Sequence, residues 1–138
     1  MTDDRDSFYA ARADIGAAYL EMLSFRELEA GWDGHGSKAI PDVSINAALR
    51  FLTMLPGDLP APQASPSGDG TVDWYWRHGG NAANVIFPKG GKVAYFVAIE
   101  GGIMKGQFEL SSGIPARLID GLRRLETKAP PAPGGDDA

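Results

Sequence analysis

The chain has 138 residues, of which 43% are hydrophobic and 22% charged, a composition typical of one globular domain and not of a disordered chain. It contains no cysteine, which excludes disulfides and thiolate metal ligands and permits a reducing compartment. The net charge is −5, and residues 1–60 carry the excess with 10 acidic and 5 basic residues, so the clustered cations of a nucleic-acid-binding surface are lacking.

The N-terminal segment, residues 1–7, is acidic and does not have the basic-then-apolar pattern of a secretory signal. Farther along the chain, no apolar run approaches the roughly 20 residues that a membrane-spanning helix needs. We therefore predict a cytoplasmic protein that has no membrane partner.

An amphipathic helix is predicted from about Ser7 to Ala30. Its apolar residues recur in steps of three and four, which places them on one stripe; they are Phe8, Ala11, Ile15, Ala18, Met22 and Phe25. We expect the stripe to pack on the chain's own sheet, and a dimer seam that makes a homo-oligomer is the alternative. Glu21 and Glu27 are candidate contacts for a basic or nucleic-acid-binding partner protein.

A glycine-rich loop, Gly31-Trp32-Asp33-Gly34-His35-Gly36, follows this helix. Gly31 suits the left-handed position past a helix C-terminus. A second helix is predicted to begin near Pro41 and end at Leu55, before a stop at Pro56. Residues 56–70 are rich in proline and glycine, which predicts a crossover without regular strand pairing.

Strands are predicted after this segment, because from Val72 onward apolar residues recur every two residues and no longer every three or four. Four apolar runs are separated by short glycine-rich turns suited to hairpins; they are residues 72–77, 84–87, 93–100 and 103–110. A last helix is predicted from Pro115 to Glu126. The fold class is α+β, a four-stranded antiparallel meander with two N-terminal helices and one C-terminal helix on one face. Residues 1–127 form a single domain and 128–138 a disordered tail.

The aromatic cluster of the first strand offers a candidate surface. Alternation sends Trp74 and Trp76 to one face, predicted to be the core, and Tyr75 to the other. Tyr75 and Phe96 would then form an exposed aromatic patch for a protein partner. Stacking of single-stranded nucleic acid on these rings is a lesser alternative, since residues 61–110 are electrically neutral overall.

The glycine-rich loop, the apolar helix after Pro41, and the segment with Pro66, Gly68-Asp69-Gly70 and Trp74 occur in a distinctive order. Over about residues 22–110 the chain resembles a set of small uncharacterised prokaryotic and phage proteins with a GWDG-type motif. The resemblance implies a bacterial or phage origin and a mobile-element setting. It supplies no active site, so no catalytic role is carried over.

Catalysis would most simply use Asp33 and His35, since a carboxylate beside an imidazole can orient a general base. The competing interpretation is that Asp33 caps a turn, that Trp32 plugs the core and that His35 is solvated, and we favour it because no nucleophile motif accompanies the pair. His78 completes the histidine inventory. Two histidines without cysteine predict neither a transition-metal site nor a cofactor, and solvation explains Asp69, Asp73 and Glu100 better than calcium does.

The sequence therefore favours a non-enzymatic protein-binding module, and the resemblance suggests a regulator or inhibitor, antitoxin-like or anti-defence-like. The alternative is a small hydrolase or ligand-binding domain that uses Asp33, His35 and His78. Single-stranded nucleic-acid binding ranks third, because the chain lacks a basic surface.

Overall fold

A computed structural model describes the backbone of residues 4–125 and the side chains of residues 14–125. The helices are α1 (Asp4–Ser24), which continues into a 3₁₀ turn at Phe25–Glu27, α2 (Asp42–Met54) and α3 (Ala116–Leu125). The strands are β1 (Gln63–Pro66), β2 (Val72–His78), β3 (Asn81–Phe87), β4 (Val93–Ile99) and β5 (Gly102–Phe108), and a second 3₁₀ turn lies at Leu110–Ser112. The α+β class with an antiparallel sheet is confirmed. The predicted tail, 128–138, lies outside the described residues.

The sheet has five strands in the order β1-β2-β3-β4-β5, so the prediction of four strands and of an unpaired crossover at 56–70 was wrong. Strand β1 pairs antiparallel with β2, and Gln63 lies opposite Tyr75. The prolines of residues 56–70 argued against a strand there. Pro66 is nevertheless tolerated, because β1 is an edge strand and the missing N–H of a proline need not interrupt the hydrogen bonds between the strands. The carbonyl of Pro60 is anchored as well, since it accepts a 2.9 Å hydrogen bond from Trp76 Nε1.

The inner face of the sheet carries the core. Alternate residues of β2, β3 and β4 are buried there, as the two-residue period predicted. Helix α2 packs against β2 and β3, and α3 against β3 and β4. Trp74 is fully buried and donates a 2.8 Å hydrogen bond from Nε1 to the backbone carbonyl of Ala48 in α2. This bond joins the sheet to α2 across the core.

Helix α1 packs against α2 and β1. Of its predicted stripe, Ala18, Met22 and Phe25 are buried and Ile15 is half-buried. Phe8 and Ala11 lie outside the described side chains. Arg26 Nη2 donates a 2.7 Å hydrogen bond to Asn46 Oδ1 of α2, which fixes the end of the helix. The described part of the stripe therefore packs within the chain, against α2 and the edge strand β1.

Candidate functional site

The glycine-rich loop is closed by its own backbone. The N–H of Gly31 donates to the carbonyl of Ser37 over 2.6 Å. Gly31, Gly34 and Gly36 all have φ between +78° and +81°, the left-handed region that costs glycine least. Trp32 is half-buried and donates from Nε1 to the carbonyl of Lys38 over 3.0 Å. Trp32 thus braces the loop and does not plug the core.

Asp33 acts as the internal cap of this loop. Its Oδ1 accepts the backbone N–H of His35 at 2.8 Å and that of Ser37 at 3.3 Å. Hydrogen bonds from the Ser37 side chain and from the His35 backbone hold the pKa of the Asp33 carboxyl below its usual value. The carboxylate therefore engages the backbone of His35, whose side chain is exposed. This is the turn-capping arrangement.

The loop rests on the turn between β1 and β2, which contains Gly68 and Gly70. The N–H of Lys38 donates to the carbonyl of Gly68 over 2.9 Å. A Cβ at residue 68 would lie 2.9 Å from Ser37 Oγ, so a side chain there would require Ser37 to move. The two glycine-rich segments named in the resemblance are therefore in contact, although about 30 residues separate them.

His78 lies at the other end of the sheet. It closes β2 opposite Asn81, whereas the loop contacts the turn that precedes Val72 at the start of the same strand. A strand of this length spans roughly 20 Å, beyond any hydrogen-bond reach. The structure does not bring His35 and His78 into one site, and this removes the two-histidine version of the hydrolase hypothesis.

The outer face of the sheet, which we call the open face, has a polar half on β1 and β2. The Tyr75 hydroxyl donates to Gln63 Oε1 over 2.6 Å, and the Arg77 guanidinium lies 5.6 Å from the centre of the Tyr75 ring. Asp73 Oδ2 accepts a 2.8 Å hydrogen bond from Asn84 Nδ2. Burial raises the pKa of the Asp73 carboxyl, and the nearby Asp69 raises it further. Asp73 is thus half-buried, and not the solvated residue that we expected.

The other half of the open face is apolar. Tyr75 pairs with Asn84, and Asn84 pairs with Phe96, so the two predicted aromatic residues stand two strands apart, roughly 10 Å, with an asparagine between them. They do not form one aromatic patch. The direct cross-strand partners of Phe96 are Asn84 and Lys105. Its neighbours along β4 and those diagonal to it on β3 and β5 are mostly aliphatic. We call the following residues the apolar patch: Ala82, Ile86, Ala94, Phe96, Ala98 and Ile103.

Sequence reasoning missed this patch because alanine is a weak strand former and gives little signal of its own. Three of its six members are alanines, and the 74% exposed Ile103 was read only as the start of a strand. Beside Phe96 lies a shallow hollow of about 530 Å³, bordered by Ile86, Ala94 and Gln107. Counting the outward positions of all strands together would have revealed the patch.

The acidic candidates of the first helix, Glu21 and Glu27, are both exposed. Glu21 lies on α1, and Glu27 on the following 3₁₀ turn. Leu20, next to Glu21, is 66% exposed and Tyr19 is 38% exposed. This side of α1 therefore combines acidic and apolar groups, and the structure leaves it accessible.

Within residues 4–125 no helix is long and apolar enough to cross a bilayer. The described residues also contain no group of three or more histidine or acidic side chains placed to hold a metal ion. Asp69 and Asp73 lie close together near the turn between β1 and β2. Glu100 lies in the turn between β4 and β5, at the opposite end of the strands, where its N–H donates to Asn81 Oδ1. The three acidic residues considered for a divalent cation therefore do not converge.

Comparison with known proteins yields no match, whether to protein-family models, to curated proteins or to solved structures. The resemblance to proteins with a GWDG-type motif therefore stays a prediction.

Proposed function

We propose that the chain is a non-enzymatic protein-binding module whose docking surface is the apolar patch of the open face. The observation that carries this proposal is the exposed Ile103 and half-buried Phe96 on a sheet face that no described helix covers. Contiguous exposed apolar surface costs solubility and is common at interaction sites. Aromatic residues at the centre of such a surface supply much of the binding energy.

The shape of the patch supports a protein as its ligand. Alanines on β3 and β4 flank Phe96, so the surface is shallow and lets another backbone approach closely. A small-molecule site is usually a deep, enclosed cleft. A broad and flat surface with one aromatic ring and a polar border is typical of protein interfaces.

Polar residues next to Phe96 would orient a bound partner. Phe96 lies between Asn84 on β3 and Lys105 on β5. Polar groups around an apolar centre fix the register of a partner more than they add affinity. The partner that fits has an apolar centre and complementary polar groups at its rim.

The acidic side of α1 is the second surface that the proposal includes. Glu21 and Glu27, with Leu20 beside them, suit a basic partner, including a nucleic-acid-binding protein. The regulator or inhibitor role and the phage setting rest on the resemblance alone and stay predictions. The hydrolase and single-stranded nucleic-acid alternatives have no further observation in their favour, because the Asp33 carboxylate is engaged by the loop and Arg77 covers part of the Tyr75 ring.

The test compares binding surfaces with matched variants. Proteins captured from a lysate of the source organism are identified, and the affinity of each purified candidate is measured for the wild type and for Ile86→Asp, Phe96→Asp and Glu21→Lys/Glu27→Lys. Gln63→Glu, on the polar half of the same face, is the control for an added charge, because glutamate keeps an oxygen that can accept the Tyr75 hydroxyl. Thermal unfolding of every variant separates lost binding from lost folding.

We expect Phe96→Asp to weaken binding by about thirtyfold or more, as truncation at an interface centre does, whereas Gln63→Glu leaves it unchanged. If only Glu21→Lys/Glu27→Lys weakens binding, the docking surface is α1 and the open-face proposal is wrong. Equal affinities for all folded variants would reject both surfaces.

A further inference from the structure

Strand β5 forms one edge of the sheet, and its backbone geometry determines which of its groups are unpaired. The turn between β4 and β5 consists of Glu100 with φ 52° and Gly101 with φ 84°. Two consecutive left-handed residues define a type I′ hairpin turn, whose flanking residues form a hydrogen-bonded pair. Ile99 and Gly102 are that pair.

Hydrogen-bonded and non-bonded pairs alternate along an antiparallel ladder. The bonded partners of β4 in β5 are therefore Gly102, Met104, Gly106 and Phe108, in the register that the structure gives. Ile103, Lys105 and Gln107 point their N–H and C=O groups away from β4. These three residues present three donors and three acceptors along the β5 edge.

Among the described residues, the opposite edge of the sheet is covered by a helix, whereas the β5 edge is not. Strand β1 has four residues, ends in Pro66, and packs against α1. Strand β5 has seven residues, and no strand within residues 4–125 lies beyond it. Its outward residues are all exposed. A long exposed edge is a template on which another extended segment can pair.

Positive charge flanks the β5 edge on both sides. Lys105 projects on the open face, and Arg117 and Arg124 of α3 line a groove of about 420 Å³ between α3 and β5. The groove contains one acidic residue, Asp120, and its floor includes Val97 and Met104. Glu100 and Glu109 lie just beyond the two ends of β5, so it is the middle of the edge, with three cations and one acid, that is positive in a chain of net charge −5. The complementary ligand is acidic.

We propose that the β5 edge binds an acidic, extended segment of a partner protein by strand addition. The backbone of that segment pairs with Ile103, Lys105 and Gln107, and its alternate side chains reach Lys105 on one face and the α3 groove on the other. This site adjoins the apolar patch and shares Ile103 with it, but it binds through the backbone groups of the β5 edge and not through the side chains of the open face.

Lys105 also argues against a second copy of this chain as the occupant. In a two-fold antiparallel pairing centred on residue 105, each Lys105 would face the other Lys105, and like charges directly opposite each other are destabilising. Lysine at an exposed edge is a common device against self-pairing. An acidic strand turns the same lysine into an attractive contact.

The test is an NMR titration of the full-length protein with two synthetic peptides, acetyl-TEVEVET-amide and acetyl-TKVKVKT-amide. We expect the acidic peptide to shift the backbone amides of Ile103, Lys105 and Gln107 strongly and those of Met104 and Gly106 weakly. The basic peptide should bind at least about tenfold more weakly, because several charge pairs reverse sign. Equal binding of both peptides, no binding, or shifts centred on Phe96 would overturn the proposal.

Two variants at one position separate the backbone contact from the charge. Lys105→Pro removes the outward N–H, leaves the hydrogen bonds between β4 and β5 in place, and should weaken binding of the acidic peptide about tenfold. Lys105→Gln keeps that N–H and should weaken binding of the acidic peptide about fivefold or less. Should Lys105→Pro fail to fold, the alternating amide shifts of the wild type decide the question alone. Concentration-dependent broadening at the same three amides without peptide would assign the edge to a second copy and reject the acidic segment.

Discussion

Asp33 accepts a hydrogen bond from the backbone N–H of His35, 2.8 Å from its Oδ1. The same oxygen accepts the N–H of Ser37, so one carboxylate holds two successive turns of the loop. Such a carboxylate organises the backbone, and the adjacent imidazole stays in solvent. The nearest sequence pattern to a catalytic pair is thus explained by local structure.

We expect Asp33→Ala to lower the melting temperature more than Asp33→Asn, because asparagine keeps an oxygen that accepts the backbone N–H groups. His35→Ala is the matched control and should leave the melting temperature unchanged, since its side chain is exposed. Thermal unfolding followed by circular dichroism measures all three. A large loss in His35→Ala together with none in Asp33→Ala would contradict the capping role.

The pH dependence of the same contact has a definite sign. The pKa of Asp33 is lowered from 3.8 in the folded protein, so its contribution is present above that value and is lost as the pH falls through the lower folded pKa. The melting-temperature difference between the wild type and Asp33→Ala should therefore shrink as the pH is lowered below about 4. A difference that stays constant down to the acid limit of folding would show that the carboxylate charge has no part in it.

Tyr95 packs across Gly106 in the core beneath β5. A Cβ at residue 106 would lie 2.7 Å from the Tyr95 hydroxyl and 2.9 Å from Cζ, and Tyr95 is buried. We expect Gly106→Ala to destabilise the fold by about 1–3 kcal/mol, the usual cost of overpacking. Gly102→Ala on the same strand, where the nearest atom is 3.5 Å away, should change the unfolding free energy by less than about 0.5 kcal/mol. Chemical denaturation of the two variants provides the comparison, and equal losses would reject the steric explanation.

The regular elements were predictable from the sequence because each is coded locally. The two-residue period of β2 and the step of three and four in α2 both follow from which side chains face one core. The irregular parts were not predictable in this way. The pairing of β1 depends on residues across a turn, and the contact of Gly68 with Ser37 joins segments far apart in the chain.

The candidate surfaces were likewise predictable only in part from the local sequence. Alternation placed Tyr75 and Phe96 on the outer side correctly, but the register that puts Asn84 between them is set by hairpin geometry. The charge around β5 combines residues of β5 with residues of α3, which meet only in the folded chain. A local pattern can assign a residue to one face of the sheet, but it cannot show which residues of other strands lie beside it.

Trp74 and Trp32 both donate from Nε1 to a backbone carbonyl, yet they differ in burial. Trp74 is fully buried, so Trp74→Phe leaves a cavity and loses its bond to Ala48, at a cost of about 2–3 kcal/mol. Trp32→Phe removes the loop brace at a half-exposed position and should cost about 1 kcal/mol. Urea denaturation ranks the two, and a larger cost for Trp32→Phe would mean that the loop, and not the α2 contact, dominates stability.

Asp73 is the group for which neutralisation should stabilise the protein. Burial raises its folded-state pKa above 3.8, so the fold is favoured most when this carboxyl is protonated, and that advantage is lost as the pH rises through the raised value. Asp73→Asn stays neutral at every pH and keeps an oxygen for Asn84 Nδ2. We therefore expect Asp73→Asn to melt at a higher temperature than the wild type at pH 7, and the gap to close below about pH 4, where both side chains are neutral. Melting curves across this range, with the exposed Asp14→Asn as a control for lost surface charge, provide the measurement. A wild type more stable than Asp73→Asn at pH 7 would mean that the ionised carboxylate gains more from Asn84 than it loses by burial.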